Sequence, residues 1–116
     1  MAYTIKTEGR HAGEHLLSEG NGEISREGIV LAAGPALPAG QVLATKTATG
    51  EYMPYKKGET GGVGTATGIL FAPKPESATP QRAVAHVRNC EVAQACLTGL
   101  DDKAIADLAA RSVIVR

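Results

Sequence analysis

The sequence predicts a small, mainly β protein in which short strands form a compact, barrel-like domain with one C-terminal helix and a flexible N-terminal arm. Short apolar or alternating runs are separated by glycine- and proline-rich turns, which is typical of an all-β body. One stretch near the end of the chain has helical spacing of apolar residues. The 116 residues are enough for one domain. Such a body must hide its strand edges, by closure or by pairing between subunits.

Residues 1–23 are predicted to be the arm, and residues 24–116 the β-rich domain. The large aliphatic side chains of this first segment are Ile5, Leu16 and Leu17. So few cannot offset the entropy of ordering the chain, so we expect the arm to be mobile in the free protein. Its beginning, Tyr3–Thr7, alternates like a strand and carries β-branched residues, which suits pairing with the sheet of another protein.

Five apolar or alternating runs in the middle of the chain are predicted to be strands: Gly28–Ala32, Gln41–Lys46, Glu51–Tyr55, Thr65–Ala72 and Arg82–Arg88. Gly50 lies between the second and third runs, where it can adopt the positive φ of a hairpin connection. Pro54 lacks an N–H group, so it truncates the third strand or places it at an edge. Val84 and His86 share one face of the fifth run, which predicts a strand in the body of a sheet.

One helix is predicted near the C-terminus. Its apolar residues at helical spacing are Ala104, Ile105, Leu108 and Ala109. Asp101 or Asp102 can cap its first turn, and Arg111 complements the dipole at its C-terminal end. The β-branched run Val113–Val115 is predicted to be the last strand.

Charge and composition exclude several classes of function. Lys plus Arg and Asp plus Glu each total 12, so no long-range field steers the protein to nucleic acid or anionic lipid. No apolar run approaches the roughly 20 residues that span a membrane, and the start does not resemble a signal peptide. We therefore expect a cytoplasmic protein with no nucleic-acid or membrane partner. The chain is 43% hydrophobic but only 3% aromatic, and this thin core favours self-association.

The sharpest candidate for chemistry is the segment from His11 to His15. His11, Glu14 and His15 match the H-x-x-E-H pattern of one zinc-peptidase class, in which two histidines on a helix face hold zinc and Glu is the general base. This alternative, a small zinc-dependent hydrolase or metal-binding domain, predicts bound zinc. However, Gly13 costs a helix about 1 kcal/mol relative to Ala. We therefore expect a solvated arm segment there, and no metal or other cofactor.

The remaining candidates do not predict catalysis. The glycine-rich loop 58–65 lacks the spacing of phosphate-binding motifs. Cys90 and Cys96 fit no zinc or redox motif, and we expect them to be buried, reduced thiols. His86 is expected to be a hydrogen-bonded or interfacial side chain, because no nucleophile stands in a recognisable motif with it. The sequence therefore predicts no catalytic residues and no enzyme; a generic β module that binds a soluble partner stays open.

The order of segments over the body resembles the lambda-type head decoration protein D family of tailed bacteriophages. The resemblance covers about residues 24 to 116. The stretches that carry it are Ile24–Gly28, Leu31–Gly34, Leu37–Leu43, Gly50–Tyr55, Thr67–Leu70, Ala83–Arg88, Leu100–Ala110 and Ile114–Arg116. Each stretch is generic alone, and their order over a chain of this length makes the likeness specific.

The resemblance implies a fold of the β-clip or β-tadpole type and a structural role on the virion. In that family, trimers fill threefold and quasi-threefold positions of the expanded head and clamp neighbouring major capsid subunits against the pressure of packaged DNA. The arm joins the capsid surface by strand addition, and the protein resides in the host cytoplasm before assembly. The capsid-binding residues that we expect on this basis are Tyr3, Ile5, Leu16, Leu17, Ile24 and Arg26.

Overall fold

The computed structural model describes residues 11–20 and 24–116. Its elements are β1 (Leu16–Glu19), β2 (Arg26–Leu31), β3 (Val42–Thr45), β4 (Tyr52–Pro54), β5 (Ala66–Leu70), β6 (Gln81–His86), β7 (Cys90–Val92), α1 (Asp102–Ala109) and β8 (Val113–Val115), with a 3-10 turn at Gln94–Cys96. The mainly β prediction is confirmed, as is the helix before the last strand.

Five of the strands close into a barrel in the order β2-β4-β3-β5-β6. β6 and β2 pair antiparallel along their whole length, from Arg26 opposite His86 to Leu31 opposite Gln81. The barrel closes on its other side where β2 meets β4 at one parallel position, Leu31 opposite Tyr52. Strand β4 ends at Pro54, as its missing N–H group predicts. Closure is thus the way in which this body hides most of its strand edges.

The other three strands form a small sheet in the order β1-β7-β8. Strand β7 runs antiparallel to β1, with Leu16 opposite Val92, and parallel to β8, with Cys90 opposite Val113. Helix α1 packs between this sheet and the barrel, where it contacts β8 and β5. The barrel is therefore covered on one side by a second layer.

The core has two parts because β3 and β5 are buried on both faces. In β3, Leu43 points into the barrel and packs with Leu31. Its neighbours Val42 and Ala44 point the other way, into a cluster that includes Leu108 of α1. Strands buried on both sides need not alternate between apolar and polar residues. All five residues of β5 and the first three residues of β3 are buried.

Helix α1 begins where an aspartate caps it. The Asp101 carboxylate accepts a hydrogen bond from the Ala104 N–H group at 2.8 Å, and this bond helps to hold the pKa of Asp101 below its ordinary value. The hydroxyl of Tyr55 donates to the same carboxylate at 3.0 Å. Burial, followed by this bond, raises the pKa of Tyr55 to about 12. Ala104 and Leu108 are the buried residues of the helix, so its apolar stripe is narrower than the sequence predicts.

Candidate functional site

The segment before β1 turns into the body of the protein. The Gly13 N–H group donates to the Phe71 carbonyl oxygen at 2.9 Å, and Gly13 has a φ of 71° that a side chain rarely adopts. The next turn brings His15 to 1% exposure, and its carbonyl oxygen accepts from the Ala93 N–H group at 2.8 Å. The prediction that this histidine is solvated is wrong, because the glycine that disfavours a helix instead permits an inward turn.

His15 makes its buried contact with a second histidine. Its Nε2 lies 2.9 Å from Nδ1 of His86, which is fully buried at the end of β6. Burial, and then the neighbouring His86, lower the pKa of His15 to about 4. Burial is also the main reason that the pKa of His86 is lowered. Both rings are therefore neutral at pH 7, and one donates to the other.

Glu19 is the last residue of β1. Its carboxylate accepts hydrogen bonds from Arg26, the first residue of β2, and from Ser25, which precedes β2. Arg26 donates to Glu19 through Nη2 at 2.8 Å and through Nε at 3.3 Å, and the buried hydroxyl of Ser25 donates to the same carboxylate. The guanidinium also lies 4.7 Å above the centre of the Phe71 ring. Hydrogen bonds from Arg26 and then Ser25 hold the pKa of Glu19 below its ordinary value.

This polar cluster joins the first strand of the chain to the barrel. Glu19 Oε2 lies 3.3 Å from Nε2 of His86, a close electrostatic contact without the alignment of a hydrogen bond. The edge of the His86 ring packs against Phe71. Glu19, Ser25 and Phe71 were not predicted as members of one site, because nothing in their spacing marks a shared contact. The prediction of a hydrogen-bonded role for His86 is confirmed.

The structure separates the six predicted capsid-binding residues into three groups. Tyr3 and Ile5 lie outside the described residues. Leu17 and Ile24 are exposed by 55% and 52%. Ile24 packs beside Gly20, where a Cβ atom would collide with its side chain. The remaining two residues face inward, since Leu16 packs on the core and Arg26 binds Glu19.

Strand β1 lies inside the segment predicted to be the arm. Within the residues described, β1 pairs with β7 alone, so its other edge carries no strand. Part of the segment 1–23 thus belongs to the small sheet, while the division of the chain at residue 23 stays a prediction. The site that emerges is an open strand edge with exposed apolar side chains, held on the barrel by a buried polar cluster.

The zinc alternative requires His11 and His15 to lie on one helix face. Residues 12–15 form turns instead, and β1 begins at Leu16. His15 binds His86, whereas Glu14 Oε2 accepts from the backbone N–H group of His11 at 3.3 Å. Among residues 11–20 and 24–116, no three His, Cys, Asp or Glu side chains lie close enough to hold a metal ion. The zinc alternative is therefore not favoured.

The two cysteines are free thiols. Cys90 is buried in β7, and burial raises the pKa of its thiol to about 11. A thiol with such a pKa is a poor nucleophile at neutral pH. Cys96 is half-buried rather than buried, because it lies in the 3-10 turn at the edge of the core. Cys90 thus acts as a small hydrophobic residue, as the sequence predicts.

The described residues define a small β-barrel protein with a second sheet whose first strand leaves one edge open. A family model for bacteriophage lambda head decoration protein D matches residues 5–113. The chain belongs to this family, whose members are structural proteins of the phage capsid. A search of curated proteins finds no match.

Membership of the family confirms the resemblance that the order of segments indicates. It identifies a phage head decoration protein and implies a location on the capsid of the virion. In the part of the chain that the structure describes, no helix is both long and apolar enough to cross a membrane.

Proposed function

We propose that the protein stabilises the expanded head of a tailed phage or prophage by binding its major capsid protein as a homotrimer. Trimers occupy the threefold and quasi-threefold positions and hold neighbouring capsid subunits together against the pressure of packaged DNA. The protein resides in the host cytoplasm until assembly. The family match supports the association with the head, and the open edge of β1 supports the mode of binding.

The open edge of β1 is the observation that carries the proposal. An edge strand presents unpaired N–H and C=O groups, to which another chain can add a strand. Near the start of the chain, Tyr3–Thr7 carries the β-branched residues Thr4, Ile5 and Thr7, which favour a strand. We propose that this segment and the open edge of β1, which the turns at residues 12–15 separate in the chain, each pair with a capsid segment.

The four predicted contact residues that the structure describes differ in exposure, and we propose different roles for them on that basis. Leu17 and Ile24 have apolar surface that a capsid subunit can cover, and such burial contributes about 25 cal/mol per Å². Leu16 and Arg26 already have partners within the chain. These two residues position the strand, whereas Leu17 and Ile24 are proposed to contact the capsid.

Trimer formation explains how the protein can bind the head tightly although each strand addition is weak. Three arms on one body make the second and third contacts effectively intramolecular, so weak additions combine into slow release. A ligand that binds only the assembled lattice stabilises it by its binding free energy at each site. Because the net charge is zero, moderate salt should not remove the protein from heads.

The first experiment mixes the protein with expanded and unexpanded heads of one phage. Light scattering should show a trimer, and sedimentation should show binding to expanded heads alone. Heads filled with a full-length genome should leak DNA under heat or chelator when bare and retain it when decorated. Equal failure temperatures for bare and decorated heads, or a monomer that binds both kinds of head, would contradict the proposal.

A pair of matched variants tests the site. Leu17→Asp places a charge on β1, and Val30→Asp places one on another exposed apolar residue, in β2. Both changes are on the surface, so both variants should fold. We expect Leu17→Asp to weaken head binding at least tenfold, because a carboxylate must lose water to enter an apolar contact. If Val30→Asp binds as weakly as Leu17→Asp while still trimeric, the contact lies on the barrel instead.

Two deletions separate the arm from the strand. Removing residues 1–10 takes away Tyr3 and Ile5 and leaves His15 and β1 in place, so the protein should fold and lose head binding. Removing residues 1–23 also removes the partners of His86, Ser25 and Val92, and we expect a markedly less stable domain. Equal stability of the two deletions would show that the predicted boundary at residue 23 is correct.

A further inference from the structure

The His15–His86 pair lies where the N-terminal segment meets the barrel. His15 immediately precedes β1, and His86 ends β6 of the barrel. Their ring hydrogen bond spans 71 positions of sequence and is fully enclosed. Two ring nitrogens, Nδ1 of His15 and Nε2 of His86, are buried without a hydrogen-bond partner.

We propose that this histidine pair is a proton-sensitive contact that holds β1 on the body at neutral pH and favours its release in weak acid. The inference rests on the proposed function in one respect, which is that β1 carries the arm and edge that bind the head. It adds regulation by protons, which the proposed function does not require.

The hydrogen-bond geometry explains why protons oppose the contact. With both rings neutral, the arrangement that best uses the polar groups has His15 Nε2–H donating to His86 Nδ1, which leaves a proton on His86 Nε2 facing Glu19. One extra proton creates an imidazolium in a buried site, and on His15 it resides on a nitrogen without a partner. A second extra proton sets two N–H groups against each other, so the bond is lost.

Charged groups from each neighbouring strand face the pair. Glu19 of β1 favours a proton on His86, whereas Arg26 of β2 opposes it. Cys90 of β7 is neutral at these pH values, because its pKa is about 11. Glu14, in the turn before His15, is exposed to solvent. Burial remains the largest influence on both histidines.

The pH window follows from the direction of these shifts. The pKa of His15 is lower when β1 is docked on the body than when β1 is released, so the released state binds more protons. The docked state is therefore most stable above pH 6.5 and loses stability as pH falls toward 4. With a pKa of about 4 in place and 6.5 when released, His15 alone raises the opening equilibrium about 20-fold between pH 7 and pH 5. Glu19 adds at most about 1.3-fold at pH 5, because a released carboxyl with the ordinary pKa of 4.5 is still mostly ionised at that pH.

Amide hydrogen exchange of the isolated protein measures this opening. The N–H groups of Gly20 and Ala93 report on it, because their bonds, to the Asn89 and His15 carbonyl oxygens respectively, lie at the two ends of β1. After correction for intrinsic exchange rates, their protection should fall about 20-fold or more from pH 7 to pH 5. The Val42 N–H group, which bonds to Thr98 between the barrel and the loop after β7, should keep its protection. Unchanged protection of Gly20 and Ala93 at pH 5 would overturn the proposal.

A matched pair of variants assigns the effect to the buried ring. In His15→Gln, an amide replaces Nε2 and can still donate to His86 without titrating, so the roughly 20-fold part of the change that belongs to His15 should vanish. His11→Gln removes an exposed histidine of the same segment and should retain the full change. Equal loss in both variants would contradict the assignment. NMR titration of the unaltered protein provides a second test, since a His15 ring that titrates near 6.5 also overturns the proposal.

Head binding at the two pH values separates this proposal from the function on which it rests. Loss of protection at pH 5 in a protein that never binds heads at pH 7 would refute the proposed function and leave the histidine pair as argued. Firm binding at pH 7 together with unchanged protection at pH 5 would refute the histidine proposal alone.

Discussion

Two Arg–Glu ion pairs that involve adjacent residues of β2 differ in their burial. Arg26 binds Glu19 at 2.8 Å, with side chains exposed by 32% and 18%. Arg88 binds Glu27 at 3.1 Å, with side chains exposed by 43% and 49%. Changing each glutamate to glutamine keeps the shape and removes the charge. The two substitutions therefore compare the same chemistry in a partly enclosed and an open setting.

The contacts of Glu19 set the size of the expected effect. Hydrogen bonds to charged groups contribute about 1.5–3 kcal/mol each, but a glutamine oxygen can keep part of the bond from Arg26. We therefore expect Glu19→Gln to lower the free energy of unfolding by about 2 kcal/mol, which corresponds to roughly 8 °C in melting temperature for a domain of this size. Exposed pairs contribute about 0.2–1 kcal/mol, so Glu27→Gln should cost less than about 1 kcal/mol.

Urea unfolding at pH 7 measures both free energies, provided that the dependence on urea is unchanged between variants. The pKa of Glu19 is lowered in the folded protein, so its contribution is full above its ordinary pKa and is lost as pH falls through the folded value. The difference between the unaltered protein and Glu19→Gln should therefore shrink below about pH 4. Equal costs for the two substitutions at pH 7 would refute the reasoning, since burial would then have no influence on the pair.

Two further substitutions test the packing of the body by urea unfolding. Leu108→Ala removes a fully buried side chain between the helix and the barrel and should cost about 2–5 kcal/mol; a cost below about 1 kcal/mol would mean that the helix is not part of the core. Gly40→Ala should cost more than Gly50→Ala, since both glycines have positive φ but only at Gly40 would a Cβ atom collide with the Cys96 carbonyl oxygen. A cost of about 1 kcal/mol at both positions would indicate backbone strain alone.

The strands of the barrel could be predicted because their signals are local. Gly50, with a φ of 74°, makes the predicted hairpin turn between β3 and β4. Pro54 ends β4, and Asp101 caps the helix, each through a property of its own backbone or side chain. The need to hide strand edges left closure and pairing between subunits as alternatives, and the barrel shows closure. A pattern of neighbours in sequence is enough to locate such elements.

The small sheet and the polar cluster could not be predicted, because their partners are distant in sequence. Strand β1 has polar Ser18 and Glu19 and no alternation, and it is ordered by distant partners: its pairing with β7 and the bonds of Glu19 to Arg26. The burial of His15 depends on a side chain 71 positions away. For the candidate site, the family resemblance predicts Leu17, Ile24 and Arg26 as capsid contacts, which stays a prediction, and the partner of Arg26, Glu19, was not foreseen. Long-range pairing decided which of these residues face the solvent.

The position of β1 also limits how the proposed arm acts. If His15 stays on the barrel when the protein binds a head, a proposed arm of residues 1–10 can span at most about 35 Å, the length of ten fully extended residues. Release of β1 roughly doubles the length of the proposed arm. Effective concentration falls about as the −3/2 power of that length, so the second and the third arm of a trimer would each bind about threefold more weakly. Two such contacts in a trimer give a loss of about eightfold. A loss of head binding at pH 5 well beyond tenfold would therefore report the loss of the β1 contact itself, rather than a longer arm.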